Sequence, residues 1–420
     1  MIIHGKALLW DRIENVYIKI DDGWITDISK QAPTGEVIEF DKPGMVILPG
    51  MIDLHVHMRD FEQSYKEDFY TGTFSAAAGG VCIVVDMPNT RPRNNRLEVL
   101  RRREAVASSK AIVDYGLYYG VPDSLDELEG YEELGVGMKI YPQDYDNPHL
   151  SDILSYNAKK NVLTVVHPED PSDMSRGVRS LSSEYKAISM FREKAVKLGL
   201  RLHLTHLTSV NSIFLAQTGE GNVTTDTCPH YLLLNSDQHK GIYYKVHPPL
   251  RPKDIQESLL KNITQCPVDA ITTDHAPHTI DEKMGHDGKG GFPGLETALP
   301  ILMTLYRKGL LTLWDVARLY SYKPAAILGL DDILGTIEPG KLANLVVYDI
   351  DGEYPIDPSG FKTKAKHSPF DGMKVVGRVY CTIVRGRFVY IDGEAYVEDG
   401  YGVNIKNLLG AMPKPVPTGD

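Results

Sequence analysis

Short apolar runs that end in polar residues recur through the middle of the chain. Eight of them lie between residues 50 and 278, and a stretch of helical composition follows each one. They read GMIDLHVH, GGVCIVVDMPN, DYGLYYGV, VGMKIY, NVLTVVHPE, LRLHLTHLT, NVTTDTCPHYL and DAITTDHAPH. Strands that alternate with helices pair in parallel through right-handed crossovers, and eight such units close into a barrel. The pattern predicts a (β/α)8 TIM barrel over residues 51–335.

The two ends of the chain carry a different pattern. Residues 1–50 contain short alternating runs such as NVYIKI and GEVIEF, and residues 336–420 contain ANLVVYDI, VVGRVYCTIV and RGRFVYIDG. Alternation interrupted by Gly, Asp and Pro is typical of short antiparallel strands. Because both ends show it, we predict one small composite β-sandwich domain, with residues 1–50 as its N-terminal part and residues 336–420 as its C-terminal part.

The polar residues that end the central runs are a biased set. An ordinary set of loop residues would be rich in Lys, Glu, Ser and Thr, whereas histidine dominates here. The residues are His55, His57, Asn89, Lys139, His167, His206, His230 and Asp274. In (β/α)8 barrels the active site lies at the carboxyl ends of the strands. We therefore expect these side chains to meet at one end of the barrel, although His230 has no assigned role.

The histidine spacing indicates a metal centre. His55 and His57 are two residues apart on a strand, so both face the same way, with Arg59 beyond them. His167 and His206 end two further strands, and His203 has the opposite parity, which favours a structural role. A catalytic zinc ion usually takes three protein ligands, so four imidazoles favour two ions.

Lys139 and Asp274 are the other two candidate metal ligands. A charged, unpaired lysine within a barrel strand costs several kcal/mol. Either its amine reacts with carbon dioxide to give an anionic carbamate that bridges two cations, or the side chain snorkels to the rim. Asp274 and His275 face opposite ways, so Asp274 either binds metal and acts as general base or caps a helix.

Together these residues predict metal-assisted attack on a carbonyl. A hydroxide held between two divalent ions is nucleophilic near neutral pH, and Asp274 would move its proton to the departing nitrogen. This describes hydrolysis, or reversible closure, of an amide. Arg59 suits a substrate carboxylate, and Asn89 and His278 are candidates to join it.

Composition narrows the function classes. Hydrophobic residues make up 42% of the 420 residues and charged residues 24%, as in soluble globular proteins. The net charge of −11 disfavours nucleic acid and anionic membranes, so an anionic substrate would need local cations. The four cysteines are far apart and suggest a reducing compartment. The N-terminus lacks the features of a secretory signal, and no apolar run is long enough to span a bilayer, so we expect a cytoplasmic protein.

Seven motifs spread over nearly the whole chain resemble the dihydroorotases of the cyclic amidohydrolase superfamily. They are DLHVHMRD, YKEDF, GGVCIVVDMPNTRP, TTDHAPH, GFPGLETALP, EPGKLANLVVYD and SPFDG. The resemblance implies a distorted barrel with a flanking β-domain. It also implies the reversible cyclisation of N-carbamoyl-L-aspartate to (S)-dihydroorotate in de novo pyrimidine synthesis, through a metal-bridging hydroxide with Asp274 as general acid and base.

The resemblance also implies a cofactor set and a set of site residues. Two divalent ions, zinc first among them, would be held by His55, His57, carbamylated Lys139, His167, His206 and Asp274. The residues implied to contact substrate are His57, Arg59, Asn89, His247, His278, Phe292 and Pro293. Phe292 and Pro293 end a Gly-rich segment, GHDGKGGFPG, which we interpret as a mobile active-site loop. A homo-oligomer and association with aspartate transcarbamoylase are partner hypotheses that the sequence leaves open.

The chain departs from the family pattern in two places. DFEQS follows Arg59 where relatives often have Pro-Gly, and His247 precedes PPLR where they often have Asn. Many bacterial relatives also bridge the metals with Asp instead of Lys. The alternative functions are a hydantoinase (dihydropyrimidinase) or allantoinase, which would not need the same carboxylate contact, and a metal-free scaffold paralogue without catalytic activity.

Overall fold

The structure is a computed structural model that describes residues 1–408, and its strands form two sheets. The first five strands come before the barrel. They are β1 (Ile2–Leu9), β2 (Arg12–Asp21), β3 (Trp24–Ser29), β4 (Val37–Phe40) and β5 (Met45–Pro49). The next eight strands form the barrel sheet in sequence order. They are β6 (Met51–Val56), β7 (Val81–Asp86), β8 (Asp114–Gly120), β9 (Gly137–Ile140), β10 (Leu163–Val166), β11 (Arg201–Leu204), β12 (Asn222–Thr227) and β13 (Ala270–Ile271). All eight predicted barrel strands are present.

The barrel closes between its first and last strands. The His57 N–H donates to the His275 carbonyl at 2.8 Å, and Val56 pairs in parallel with His275 just beyond β13. Asp53 supports this seam from below, since its carboxylate accepts from the backbone N–H groups of His55 and Thr273 and from the Tyr320 hydroxyl. Asp53 therefore stabilises the junction between the first and last strands of the barrel.

Twelve α-helices lie within the described residues. They are α1 (Phe69–Ala78), α2 (Leu97–Lys110), α3 (Leu150–Lys159), α4 (Pro171–Met174), α5 (Leu181–Leu198), α6 (Val210–Gln217), α7 (Pro229–Leu233), α8 (Lys253–Lys261), α9 (Ile280–Met284), α10 (Leu295–Arg307), α11 (Leu313–Ala317) and α12 (Lys323–Leu328). Local signals set their ends. Asp68 and Thr71 form a capping box on α1, and α5 begins at the N-cap Ser180 and ends at Gly199 in the left-handed conformation.

One crossover differs from the predicted strand–helix alternation. Between β8 and β9 the chain makes only two 3-10 turns, Leu125–Glu127 and Tyr131–Glu133. The segment is short and carries Pro122, Gly130 and Gly135, which disfavour a continuous α-helix. The barrel is therefore distorted on this side.

The last four strands return to the first sheet. They are β14 (Leu345–Pro355), β15 (Lys374–Val384), β16 (Arg387–Ile391) and β17 (Glu394–Ala395). β5 pairs with β14 in antiparallel register, which joins the N-terminal and C-terminal strands. A separate hydrophobic core, with residues such as Ile3, Ile18, Ile47, Leu345 and Ile383, packs inside this sheet.

The predicted fold class is confirmed: a parallel eight-stranded barrel with a β-domain built from both termini. Two details differ from the sequence prediction. β4 pairs with β1 in parallel, and the nine strands are hydrogen-bonded into one sheet that folds over its own core. Residues 409–420 of the predicted C-terminal part lie outside the described residues.

Two further observations concern the cysteines and the helices. All four cysteines are buried as free thiols. Across residues 1–408, no helix is both long enough and apolar enough to cross a bilayer.

Candidate active site

A cavity of about 480 Å³ opens at the carboxyl ends of the barrel strands. Nine of the predicted site residues line it: His55, His57, Arg59, Asn89, His167, His206, His247, Asp274 and His278. They come from β6 and the residues just after it, from the residues that follow β7, β10, β11 and β13, and, for His247, from the connection between β12 and β13. The barrel therefore brings to one cavity residues that are more than 200 positions apart in sequence.

Four imidazoles form a continuous row in this cavity. The ring centroids of His57 and His55 are 5.3 Å apart, those of His55 and His206 are 5.2 Å apart, and those of His206 and His167 are 4.4 Å apart. Asp274 faces one end of the row, where ligand atoms of His55, His57 and Asp274 all lie within 4.8 Å of one another. His206 and Asp274 both have left-handed backbones, with φ of +47° and +46°. Such strain in non-glycine residues is concentrated at functional sites.

Hydrogen bonds fix which ring nitrogen of His57 and of His167 carries the proton. His57 Nδ1 lies 2.7 Å from Asn89 Oδ1, and His167 Nε2 lies 2.6 Å from Glu169 Oε2. Both partners are acceptors, so each of these ring nitrogens carries its proton and the other nitrogen keeps a lone pair. Such second partners orient metal-binding histidines.

His55 is fixed by a relay that the sequence did not reveal. Its Nδ1 lies 2.7 Å from Thr205 Oγ1, and that hydroxyl donates to Asp226 at 3.0 Å. Because the Thr205 proton is committed to Asp226, the Thr205 oxygen accepts the proton of His55 Nδ1. His203 also contacts Asp226, at 2.7 Å, and does not line the cavity. A Thr one residue before a candidate ligand is the only sequence signal that this relay leaves.

The resulting arrangement fits a cation. The lone pairs of His55 Nε2 and His57 Nε2 both point at Asp274 Oδ1 from 3.2 Å. Lone pairs that converge on a carboxylate oxygen repel one another unless a positive charge lies among them. Burial, together with the charge of nearby Lys139, holds the pKa of His55 well below its usual value, and burial acts the same way on His206. Both rings are therefore neutral, as metal ligands must be.

Lys139 is fully buried beneath this row. Its Nζ has no hydrogen-bond partner within residues 1–408, and it lies 5.3 Å from the centre of the Tyr141 ring. The side chain does not reach the rim. Burial lowers the pKa of Lys139 to about 7, which gives a large neutral fraction near neutral pH. An isolated buried amine of this kind fits the carbamate bridge better than the snorkelling alternative.

Arg59 and His278 form a second polar group in the cavity, and its positive charge is that of Arg59, because burial and the charges of Arg59 and Lys66 lower the pKa of His278 to about 2. Arg59 is buried, its Nη2 lies 3.2 Å from His278 Nε2, and its backbone carbonyl accepts from Arg103 Nη1 at 2.6 Å. On its other side, His278 Nδ1 lies 3.1 Å from Glu282 Oε2, and Lys66 Nζ donates to the same carboxylate. Lys66, Arg103 and Glu282 were not predicted as site residues. The YKEDF motif contains Lys66, but the motif supported only the family resemblance and gave this lysine no role.

The loop that follows Arg59 differs from a Pro-Gly turn, as the sequence suggested. Arg59, Asp60 and Phe61 all have left-handed backbones, with φ of +51°, +53° and +48°. The Asp60 side chain holds the turn by accepting from the backbone N–H groups of Phe61 and Phe69. This loop presents the Arg59 guanidinium to the cavity without glycine.

Two predicted substrate contacts lie outside the cavity. Phe292 and Pro293 are buried and do not line it, because the Phe292 backbone pairs with His275 and its ring packs against Lys283. The Gly-rich segment lines the cavity through residues 287–290 instead. His230 is also buried outside the lining, with its ring centroid 5.7 Å from that of Phe292.

The Thr205 relay makes a testable prediction. Replacing Thr205 with Val keeps the shape but removes the acceptor for His55 Nδ1, so we expect metal affinity to fall about 10- to 100-fold. Titration of the metal-free protein with zinc measures this affinity. Thr224→Val is the matched control, because the Thr224 hydroxyl contacts His203 on the far side of Asp226. Equal affinities in the two variants would contradict the relay.

Comparison with known proteins agrees with this geometry. A model described as the amidohydrolase family matches residues 253–389, and one described as dihydro-orotase-like matches residues 44–130. The dihydroorotase of Pyrococcus furiosus is 34% identical over 402 residues, which cover 94% of this chain and 93% of the relative. That of Pyrobaculum aerophilum is 36% identical over 361 residues, covering 84% and 90%.

Solved structures show the same fold along the chain. The L-hydantoinase (dihydropyrimidinase) from Arthrobacter aurescens superposes with a TM-score of 0.88 at 28% identity, covering 96% of this chain and 98% of the other. A dihydropyrimidinase from Brevibacillus agri superposes with a TM-score of 0.85 at 25% identity and the same coverage. The barrel, the β-domain and the His/Asp cluster define the class of metal-dependent amidohydrolases, which hydrolyse cyclic amides. Within that class, the chain belongs to the dihydroorotase family.

Proposed function

We propose that this protein interconverts N-carbamoyl-L-aspartate and (S)-dihydroorotate, a step of de novo pyrimidine synthesis. One observation carries the proposal: the His/Asp cluster and the buried Arg59–His278 pair line the same cavity. Dihydroorotate is a cyclic amide that bears one carboxylate. The cluster suits its amide, and the Arg59 guanidinium suits its carboxylate.

Two groups of residues would hold two divalent cations. His55, His57 and Asp274 form one group, His167 and His206 form the other, and a carbamate on Lys139 would join them. Imidazole and carboxylate ligands suit zinc, which we propose as the ion. When bound, the cations supply an activated water and polarise the amide carbonyl.

Asp274 is the catalytic residue that moves the proton. Its carboxylate is buried beside His55 and His57, where it can accept a proton from the attacking water and deliver it to the ring nitrogen. The ring C–N bond breaks as the new C–O bond forms, and N-carbamoyl-L-aspartate results. Ring closure is the same sequence in reverse, with Asp274 taking the proton from the ureido nitrogen.

Arg59, His278 and Asn89 would bind the carboxylate of the substrate. The Arg59 guanidinium is a planar donor that matches a carboxylate, and burial strengthens the contact. Asn89 is exposed at the mouth of the cavity. Its side-chain oxygen accepts a hydrogen bond from His57, so its amide N–H groups are free to donate to the substrate. His247 lines the opposite wall, where an imidazole can donate one hydrogen bond.

The rival function is that of a hydantoinase or dihydropyrimidinase, the class to which the two similar solved structures belong. A spectrophotometric assay that follows dihydroorotate and N-carbamoyl-L-aspartate, with hydantoin and dihydrouracil as competing substrates, decides between them. We expect turnover of dihydroorotate in both directions and its loss after chelation. Preference for hydantoin, or indifference to the chelator, would overturn the proposal.

Arg59→Met provides a sharper form of this test. Removing the guanidinium deletes a charge-assisted contact of about 2–3 kcal/mol, so kcat/KM for dihydroorotate should fall about 100-fold. Any residual turnover of dihydrouracil, which has no carboxylate, serves as the internal control and should not fall. A parallel loss on both substrates would show that Arg59 does not recognise the carboxylate.

Three further expectations belong to this proposal. We propose that the enzyme works in the cytoplasm, and that it self-associates or binds aspartate transcarbamoylase. Size measurement of the purified protein, alone and with that enzyme, tests the two associations.

A further inference from the structure

Lys283, in α9, is a fully buried lysine for which the proposed chemistry has no use. Its Nζ donates to three backbone carbonyls: Lys245 at 2.6 Å, Lys289 at 3.3 Å and Gly291 at 2.7 Å. The face of the Phe292 ring lies 4.3 Å from the same nitrogen. An ammonium has three N–H donors, so its protonated form matches the three acceptors, whereas a neutral amine leaves one of them unmet.

The three carbonyls belong to two walls of the active-site cavity. Lys289 and Gly291 lie in residues 285–291, hereafter the rim loop, which lines the cavity through residues 287–290. Lys245 precedes His247, and both line the cavity. The Lys245 carbonyl also accepts from the Gly291 N–H at 3.1 Å. Lys283 thus joins the rim loop to the segment that carries His247.

Two glycines of the rim loop pack so closely against neighbouring side chains that a Cβ atom has no room. A Cβ atom on Gly290 would lie 2.6 Å from Cδ2 of His247, and one on Gly288 would lie 2.2 Å from Cγ1 of Ile242. Gly288 also has a left-handed backbone, with φ of +48°. The backbone of the loop therefore rests directly on the His247 ring, and a shift of the loop changes the space around that ring.

We propose that Lys283 is a positioning residue, whose buried amino group holds the rim loop against residues 245–247 through its three hydrogen bonds and so sets the shape of the cavity mouth. Its effect on substrate rests on the proposed function. Its effect on the loop does not, because backbone hydrogen exchange measures loop opening without any substrate.

The experiment compares wild type with Lys283→Met, which keeps the length of the side chain and removes the three donors. Exchange of the amides in residues 285–291 should quicken about tenfold or more, while the barrel strands keep their protection. With dihydroorotate, KM should rise about tenfold and kcat should change less than about threefold, because binding geometry is lost and the proton-transfer groups stay. Faster loop exchange in an enzyme inactive on dihydroorotate would refute the proposed function alone.

Lys341→Met is the matched control. Lys341 is also buried, and its Nζ donates to the carbonyls of Asp331 at 2.9 Å and Leu334 at 3.2 Å, away from the cavity lining. It makes the same kind of contact, so this variant should leave rim-loop exchange and KM unchanged. Equal effects of the two substitutions on the rim loop would overturn the proposal, because the loop would then respond to general destabilisation.

Gly290→Ala tests the proposal should Lys283→Met not fold. The nearest neighbours of the added methyl group are atoms of the His247 ring, and Lys283 is not among them. A raised KM with near-normal kcat supports the proposal that the position of the rim loop against His247 sets the shape of the cavity mouth. An unchanged KM overturns it, as does unchanged rim-loop exchange in a folded Lys283→Met protein.

Discussion

Asp274→Asn is expected to reduce kcat by about 10³-fold or more while the protein stays folded. An amide of the same size cannot accept the proton of the attacking water, and proton transfer by a positioned side chain contributes about 10²- to 10⁴-fold to catalysis. The substitution also removes the charge that faces His55 and His57 across 3.2 Å, so metal affinity should fall as well. Steady-state assays at saturating metal, with metal analysis of the same samples, measure both effects.

Asp53→Asn is the informative comparison for this variant. Asp53 is a second buried carboxylate on the same seam, but it accepts from backbone groups and Tyr320 and does not line the cavity. Its replacement should lower the free energy of unfolding by about 1–3 kcal/mol and spare most of the activity of the folded fraction. Asp274→Asn, in contrast, should abolish most of the activity and change the free energy of unfolding little. If Asp274→Asn retained more than about a tenth of wild-type kcat, Asp274 would not be the proton carrier.

Replacing Lys139 with Met should remove the carbamate that we propose as the bridge between the two groups of metal ligands. We expect activity to fall about 10³-fold or more, since several kcal/mol of charge stabilisation in the transition state depends on the metals. Metal content should fall in parallel. The apolar replacement suits the buried site, so thermal stability of the metal-free protein should hold or rise.

Direct observation of the carbamate distinguishes a carbamylated Lys139 from an unmodified one. Wild-type protein equilibrated with zinc and carbon-13-labelled bicarbonate should show a carbamate carbon signal by NMR, and Lys139→Met should not. The pKa of about 7 caused by burial makes the reaction feasible at neutral pH, because only the neutral amine attacks carbon dioxide. Metal-loaded, active wild-type protein without this signal would contradict the bridge.

The sequence was most informative where periodicity and residue type coincide. Eight apolar runs with polar ends predicted every barrel strand, because a strand buried on both faces must be apolar until it reaches the active-site end. The same reasoning placed His55 and His57 on one side. The predicted alternation of strands and helices was wrong between β8 and β9, where the chain forms two 3-10 turns in place of a helix.

Contacts between distant residues were beyond sequence reasoning. Thr205 and Asp226 are ordinary residues on neighbouring strands, and only the barrel register brings them to the His55 ring. Glu282 and Lys66 are 216 positions apart and meet only because α9, which follows β13, lies beside the loop that follows β6. Phe292 was placed near the substrate by resemblance, whereas its backbone pairing with His275 takes it into the core.

The pairing of β5 with β14 constrains the order in which the polypeptide matures on the ribosome. Met45–Pro49 are buried and apolar, and the strand that completes their hydrogen bonding begins at Leu345, after the whole barrel has been translated. Until then this edge is open to intermolecular strand addition. The nascent chain therefore carries an apolar strand near its N-terminus that lacks this hydrogen-bonding partner until the barrel has been synthesised.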